Sequence, residues 1–506
     1  MNRSKASTLG RPWLGFTAVA AAAALPILRI LANNPDENLS VPRLVVWGLG
    51  SLIVGWMVLW VARRVDARGG TGRLQASVVA ALLVVLMYGS VLGNALKLDE
   101  PWIRLSVVVA MVLGAWLAAR WGGIQRFFIV LPFFLLVAPA FDLVKDANAR
   151  GEVASGPTAS VEFPPPRLDA GPNVYWFVLD GYGRWDVLQA LGGDYDLGVE
   201  LANLGFQVDD KAVAPYDYTD LSLAATLTGS YLPELSSFGE LRSHAQPIVD
   251  GQPPVFDWFE HAGYRRLLLP GARWPGWRCG PPHSTCLMGS RVHLEDDLIF
   301  SMTILDPLLD LLTFGSGDRH AKAVDPVLAV ESAFAIQEQD TLEGRPHLSV
   351  IHVMSSHPPY RWLGPDCAPQ PSSILMSNWL PLTDYLDAVR CTGVRTLEAV
   401  ERIVVDDPDA LVIVQSDHGP RLQAETWQTV DSEISTDTVW LGVLLAAKLP
   451  DGCELGHGTN TVNLFRIVLG CLGGDRMDLL PSRSWVMGGD WDGAGVVPAS
   501  PDRGEG

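Results

Sequence analysis

The sequence predicts two objects in one chain: an N-terminal domain of five membrane-crossing helices, then an α/β domain outside the membrane. Three observations predict this. Five long apolar runs crowd into the first 150 residues. Charge reverses behind them: residues 1–150 hold 15 Lys and Arg against 7 Asp and Glu, a net of +8, whereas 151–506 hold 22 against 49, a net of −27. Through the second part, short wholly apolar runs alternate with amphipathic stretches. The 506 residues are 48% hydrophobic and 18% charged, which excludes a disordered chain. The overall charge of −19 argues against nucleic acid as a partner, because an acidic surface repels phosphate backbones.

The apolar runs lie at about 13–31, 44–62, 75–96, 103–119 and 127–143. Each approaches the ~20 residues that cross ~30 Å of hydrocarbon. Arg3, Lys5 and Arg11 precede the first run, but no small-residue cleavage site follows it, so it reads as a retained helix. Arg63, Arg64, Arg68 and Arg73 follow the second run, and Arg120 and Arg126 the fourth. The intervening loops carry Asp36, Glu37, Asp99 and Glu100. Positive charge marks cytoplasmic loops, so the N-terminus lies in the cytoplasm and five crossings carry the rest of the chain outside. The expected location is therefore the cell (inner) membrane, multi-pass, with the second domain extracytoplasmic. Arg29, inside the first run near its outer end, can snorkel to the interface. The domains are read as 1–144 membrane, 145–171 a Pro-, Gly- and Ala-rich linker, 172–487 catalytic, and 488–506 a flexible Gly-, Pro- and Asp-rich tail.

All six cysteines fall in the second part, as expected of a domain in an oxidising compartment. Fifteen pairings are open, and sequence neighbours suggest Cys279–Cys286, Cys367–Cys391 and Cys453–Cys471. A zinc site would compete, but the chain has no Cys-x-x-Cys pair.

Runs at 174–179, 266–269, 348–354, 411–415 and 439–445 lack polar alternation, which suits strands covered on both faces by helices. Helical periodicity at 379–404 supplies one cover. In such sheets the ligand sits off the carboxyl ends of the strands. Three of those ends read Asp180-Gly181, Ser355-Ser356-His357-Pro358-Pro359 and Ser416-Asp417-His418-Gly419. Asp180, Asp417 and His418 offer carboxylate oxygen and imidazole nitrogen, a donor set for Zn²⁺ or Mn²⁺. The competing reading makes Asp180 a helix cap and His418 a core residue. Thr219-Asp220 opens a helix of small and apolar residues from Leu221. A hydroxyl there can meet a bound anion, and a metal would activate it, although spacing alone favours a simple N-cap.

These motifs resemble the alkaline phosphatase/sulfatase superfamily, and within it the membrane-bound branch of lipoteichoic acid synthase and the phosphoethanolamine transferases. The resemblance covers about 172–475, plus the five-helix membrane domain in front. It is carried by the opening strand with Asp180-Gly181-Tyr182-Gly183-Arg184, Tyr216-x-x-Thr219-x-x-Ser222-Leu223, His352-x-x-x-x-His357-Pro358-Pro359-Tyr360, Ser416-Asp417-His418-Gly419 and Asn463-Leu464-Phe465-Arg466. It implies an alkaline phosphatase/sulfatase-like α/β fold and Thr219 as the nucleophile. It also implies one divalent ion, Zn or Mn, among Asp180, Thr219, Asp417 and His418, with a second ion when substrate is bound. His357 would contact substrate phosphate or bind the second ion when substrate is present, and Arg184 would touch an anionic substrate. His352, inside a strand, is read as structural. The implied donor is a phospholipid, and the acceptor an envelope glycan or lipid hydroxyl. A hydrolase of the same fold and an inactive membrane scaffold are the alternatives.

The sequence also departs from the family. Cys367-Ala368-Pro369 imitates the start of a sulfatase motif but lacks its arginine. Pro420-Arg421-Leu422-Gln423 follows the Asp-His-Gly, where phosphoethanolamine transferases carry acidic residues and a histidine. His457, in Gly456-His457-Gly458, reads as a loop residue.

Overall fold

The structure is a computed structural model. It describes residues 12–33, 41–66, stretches between 79 and 141, 163, 171–234, 237–249, 251–270, 284–286, 325–340, 345–358, 360, 362–369, 381–422, 434–488 and 495–499. The chain divides into two compact units, one built on Met1–Glu152 and the other on most of the remainder.

In the first unit, α1 (Pro12–Asn33) and α2 (Val41–Asp66) cover the first two apolar runs, and α3 (Ile124–Leu135) lies at the fifth. The runs at 75–96 and 103–119 fall almost wholly outside the described residues. Among the described residues, α2 alone is long and apolar enough to cross a membrane, over Leu44–Val61 at a mean hydropathy of 2.1. Ala18, Val19, Ala22 and Leu25 of α1 are buried with Leu59 of α2, and Leu131 and Leu135 of α3 pack on them. Small alanines at that seam permit close approach of helix backbones. Trp56 Nε1 donates to the Phe16 carbonyl at 3.1 Å, and the two rings meet edge to face. Val46, Ile53, Met57 and Trp60 of α2 point away from this seam and are exposed.

The second unit is built on a seven-stranded sheet. Its strands are β1 (Val174–Leu179), β2 (Gln207–Val208), β3 (Arg265–Pro270), β4 (Ser284–Cys286), β5 (His347–Val353), β8 (Leu411–Ser416) and β9 (Leu445–Lys448). A small hairpin of β6 (Trp362–Leu363) and β7 (Ala368–Pro369) lies apart from it in the chain's pairing. The sheet order is β2-β9-β8-β1-β5-β3-β4. The five strands from β8 to β4 run parallel, and β9 is antiparallel to both β8 and β2. Parallel strands need covered crossovers, and the helices supply them. These are α4 (Trp185–Ala190), α5 (Leu197–Asn203), α6 (Thr219–Thr228), α7 (Phe238–Val249), α8 (Pro254–His261), α9 (Pro326–Asp340), α10 (Leu382–Asp406), α11 (Thr436–Leu441) and α12 (Leu464–Gly473).

Strand alternation sorts the two faces. Val174, Trp176, Val178, Leu348, Val350, Leu411 and Ile413 pack with α6, α7, α8 and α12. Tyr175, Phe177, Leu179, Ile351, Val353, Val412 and Val414 pack with α4, α5, α9 and α10. Trp176 shows what each face requires. Its ring is fully buried, Nε1 donates to Gln415 Oε1 at 3.1 Å, and Phe465 meets it edge-on at 4.9 Å. The indole thus contributes apolar burial without leaving its one donor unpaired.

Two features differ from the sequence reading. The run at 439–445 is not one strand: α11 ends at Leu441 and β9 begins at Leu445. The tail assigned to 488–506 contains β11 (Gly495–Ala499), antiparallel to β10 (Ser484–Gly488). Disulfides join Cys367 to Cys391 and Cys453 to Cys471. Cys279, the proposed partner of Cys286, lies outside the described residues.

Candidate active site

Register places the site. Leu179 of β1 pairs with Val353 of β5 and with Ser416 of β8, so the three strands end at one level. The next residues, Asp180, Met354 and Asp417, therefore open onto a common edge. The Asp180 N–H still donates to the Val353 carbonyl at 3.0 Å, extending the ladder to the carboxylate itself.

The following glycines are required by backbone geometry. Gly181 has φ +66°, in the left-handed region that other residues adopt at a cost. Its N–H donates to Asp417 Oδ1 at 3.0 Å, and its carbonyl accepts from the Tyr385 hydroxyl at 3.1 Å. A Cβ on Gly419 would collide with the Val439 carbonyl. Hydroxyls fasten the other loops: Ser356 Oγ donates to the Asp180 carbonyl at 2.7 Å, and Ser222 Oγ to the Asp417 carbonyl at 2.6 Å. Ser222 lies three residues beyond Thr219 in α6, so that bond ties the threonine helix to the Asp417 loop.

Thr219 is the first residue of α6, and the capping position is Tyr218, whose side chain makes no cap bond. Thr219 Oγ1 faces the site instead, 3.2 Å from His418 Nε2 and 3.5 Å from Asp180 Oδ2. The N-cap reading of this threonine does not hold. His418 Nδ1 lies 2.6 Å from the Gly419 carbonyl, a contact that needs a proton on Nδ1 and turns Nε2 inward. That nitrogen is 3.5 Å from Asp417 Oδ2 and 3.7 Å from Asp180 Oδ1.

Asp180 and Asp417 are both fully buried. Asp180 Oδ1 and Asp417 Oδ2 accept no hydrogen bond from the described residues. Burial pushes the Asp180 carboxyl up, but His357, His352 and His418 outweigh it and hold the group well below the usual carboxylate range. Burial, then the charge of Asp180, pushes Asp417 up. Two buried carboxylates beside an imidazole make a candidate metal site. The donor chemistry, two carboxylates, an imidazole and a hydroxyl, fits Zn²⁺ or Mn²⁺.

His352 belongs to this group, although the sequence reading made it structural. Its Nε2 is 3.2 Å from Asp180 Oδ2, and it is buried. Ligand atoms of Asp180, His352 and Asp417 all lie within 4.8 Å of one another. The missed signal was parity: Leu348 and Val350 face α6, so His352, two further along β5, faces it too.

His357 is half-buried and places Nδ1 2.6 Å from the Pro358 carbonyl, with its charge felt at Asp180. Arg184 is drawn elsewhere. It is buried, with Nε and Nη2 on Asp186 at 2.7 and 2.9 Å and Nη1 on the Ala212 carbonyl at 2.9 Å. Cys367 is consumed by its disulfide, which removes the sulfatase-like cysteine from consideration. His457 is exposed beside Asp209 and Asp210, whereas Asp209 accepts the N–H groups of Lys211, Gly458 and Thr459 and so holds a loop.

No protein-family model matches the sequence, and no curated protein does. Solved structures of alkaline phosphatase superfamily domains do match. Lipooligosaccharide phosphoethanolamine transferase A (EptA) of Neisseria meningitidis is 12% identical, covering 92% of this chain and 95% of its own, at a TM-score of 0.40. The periplasmic domain of EcEptC from Escherichia coli, in a zinc complex, is 11% identical over 66% of this chain and 96% of its own, at 0.39. The lipoteichoic acid synthase LtaP of Listeria monocytogenes is 13% identical over 68% and 83%, at 0.38.

Proposed function

We propose that this protein is a metal-dependent transferase that moves a phospholipid headgroup, of phosphoglycerol or phosphoethanolamine type, through a covalent intermediate on Thr219. The observation that carries the proposal is the placement of Thr219 Oγ1 at the start of α6, against His418 Nε2 and Asp180 Oδ2. Asp180, Thr219, Asp417 and His418 would hold one divalent ion, with His352 as a further neighbour of Asp180. Such an ion lowers the pKa of a bound hydroxyl and polarises a phosphoryl oxygen.

The residues then divide the work. Thr219 Oγ1 attacks phosphorus in line as the P–O bond to diacylglycerol breaks, and the diacylglycerol oxygen takes a proton. The N-terminus of α6, where first-turn N–H groups point out of the helix, would face the phosphoryl oxygens. His357, whose Nδ1 lies 2.6 Å from the Pro358 carbonyl, would present its ring to the substrate phosphate. An external glycan or lipid hydroxyl next attacks phosphorus, the P–O bond to Thr219 breaks, and the proton given up by the attacking hydroxyl restores the Thr219 hydroxyl. Arginine-rich N-terminal loops and two disulfides in the α/β unit support a multi-pass inner-membrane protein with this unit extracytoplasmic.

The test uses the purified full chain loaded with Zn²⁺ or Mn²⁺ and labelled phosphatidylglycerol or phosphatidylethanolamine. Thr219→Ala should lower headgroup transfer by roughly 10³-fold or more, and mass spectrometry should find the headgroup on Thr219 of the wild type. Continued transfer by Thr219→Ala refutes the assignment. Release of free headgroup alone, with every acceptor class supplied, identifies a hydrolase instead.

A further inference from the structure

Tyr218, next to the proposed nucleophile, lies near two guanidinium groups. Arg242 is 5.1 Å from its ring centre and Arg421 is 5.8 Å. The two cations are held differently. Arg242 Nε donates to Asp220 Oδ2 at 2.9 Å, with the side chains 9% and 1% exposed, so this ion pair is closed inside the packing of α6 and α7. Arg421 Nη2 is 3.5 Å from Asp217 Oδ2, and its side chain is 14% exposed. Its guanidinium also lies 5.3 Å from the Trp440 ring, which is anchored through Nε1 to the Leu422 carbonyl at 2.9 Å.

We propose that Arg421 is a specificity-determining residue that binds an anionic oxygen of the substrate phosphate beside Thr219. This rests on the function proposed above. Arg421 follows His418 by three residues, and its carboxylate neighbour Asp217 precedes Thr219 by two, so the chain brings the cation to the site from both sides. Two aromatic rings keep the guanidinium plane in place. A guanidinium matches a pair of phosphate oxygens through parallel N–H groups, which a lysine ammonium does not. The need for it is electrostatic. Residues 151–506 carry a net −27, and a phosphate entering that field requires a fixed cation nearby. Asp217 is the partner that the phosphate displaces.

The displacement gives two variants opposite expected signs. The probes are inorganic phosphate and a short-chain phosphatidylglycerol, with binding to the metal-loaded full chain measured by calorimetry. Arg421→Met should weaken both by about tenfold or more, and Arg421→Lys should recover part of the loss. Asp217→Asn should leave affinity unchanged or tighten it, whereas a merely structural pair would lose affinity in both variants. Metal content per chain verifies that each variant is folded. If Arg421→Met does not fold, Arg421→Lys and Asp217→Asn decide. Unchanged affinity in folded Arg421→Met, or a parallel loss in Asp217→Asn, overturns the proposal. Loss for inorganic phosphate alone would assign Arg421 to a free-phosphate site and overturns its role with substrate. If the wild type binds neither probe, the proposed function fails as well; if it binds both and Arg421 variants do not differ, only the role of Arg421 fails.

Discussion

Metal should reverse the stability order of wild type and Asp417→Asn. Asp180 and Asp417 are fully buried, with ligand oxygens within 4.8 Å. At that separation and an effective dielectric near 20, two full charges repel by about 3.5 kcal/mol. Burial and Asp180 push the Asp417 carboxyl up, which lessens this repulsion. Asparagine removes the remainder while keeping an Oδ1 for the N–H groups of Gly181 and His418, which Asp417 Oδ1 accepts at 3.0 and 2.8 Å. Metal-free Asp417→Asn should therefore be more stable than wild type by about 1–3 kcal/mol. The gain should grow with pH, because a raised folded pKa means that ionising Asp417 destabilises the metal-free fold as pH rises through that value. Saturating metal reverses the order. At 100 times Kd the wild type gains about 2.7 kcal/mol, a rise in Tm of several degrees, and the variant gains little. Thermal unfolding of the detergent-purified full chain, with chelator and with excess Zn²⁺ or Mn²⁺, reads both arms. A metal-free variant less stable than wild type, with the metal-induced rise intact, refutes the site as drawn.

Two further outcomes test the scaffold. Asp220→Ala leaves Arg242 buried without its carboxylate and should cost about 3–5 kcal/mol, most of it restored by Arg242→Leu in the same chain, as read by denaturant unfolding. Burial, then Arg265, pushes His347 down to about 4. Its neutral form stabilises the fold fully above the unfolded pKa of about 6.5, and that contribution is lost as pH falls toward 4. The loss should total roughly 1–3 kcal/mol, and His347→Gln should flatten the pH dependence of Tm across this window.

The sheet was legible wherever a strand is covered on both faces. The runs at 174–179, 266–269, 348–354 and 411–415 became β1, β3, β5 and β8 because central parallel strands leave no polar face to interrupt them. The run at 439–445 misled for the same reason, since a short apolar run carries no period that separates a helix end from a strand. Ser435 held the missing information: its side chain accepts from the Thr438 N–H and starts α11. The two-residue β2 and three-residue β4 are edges, where pairing rather than pattern decides the conformation.

The site was legible to the extent that backbone position alone decides it. Asp180, Asp417 and His418 follow strand ends, and aligned register brings strand ends together whatever their side chains do. Arg184 also follows a strand end, yet Asp186 lies two residues on and takes both of its outer contacts, so proximity in sequence predicted location but not availability. His352 shows the converse. It sits within a strand, where a histidine reads as packing, and only its alternation with Leu348 and Val350 turns it toward α6. Arg421 follows the Asp-His-Gly turn, and its sequence position marked only a departure from the family pattern. Its distances to Asp217, Tyr218 and Trp440 give that departure a chemical content, a guanidinium between a buried carboxylate and two aromatic rings. If Arg421 binds the substrate phosphate as proposed, it should favour a headgroup that is negative or neutral beside that phosphate over one carrying an ammonium group, because like charges at short range repel.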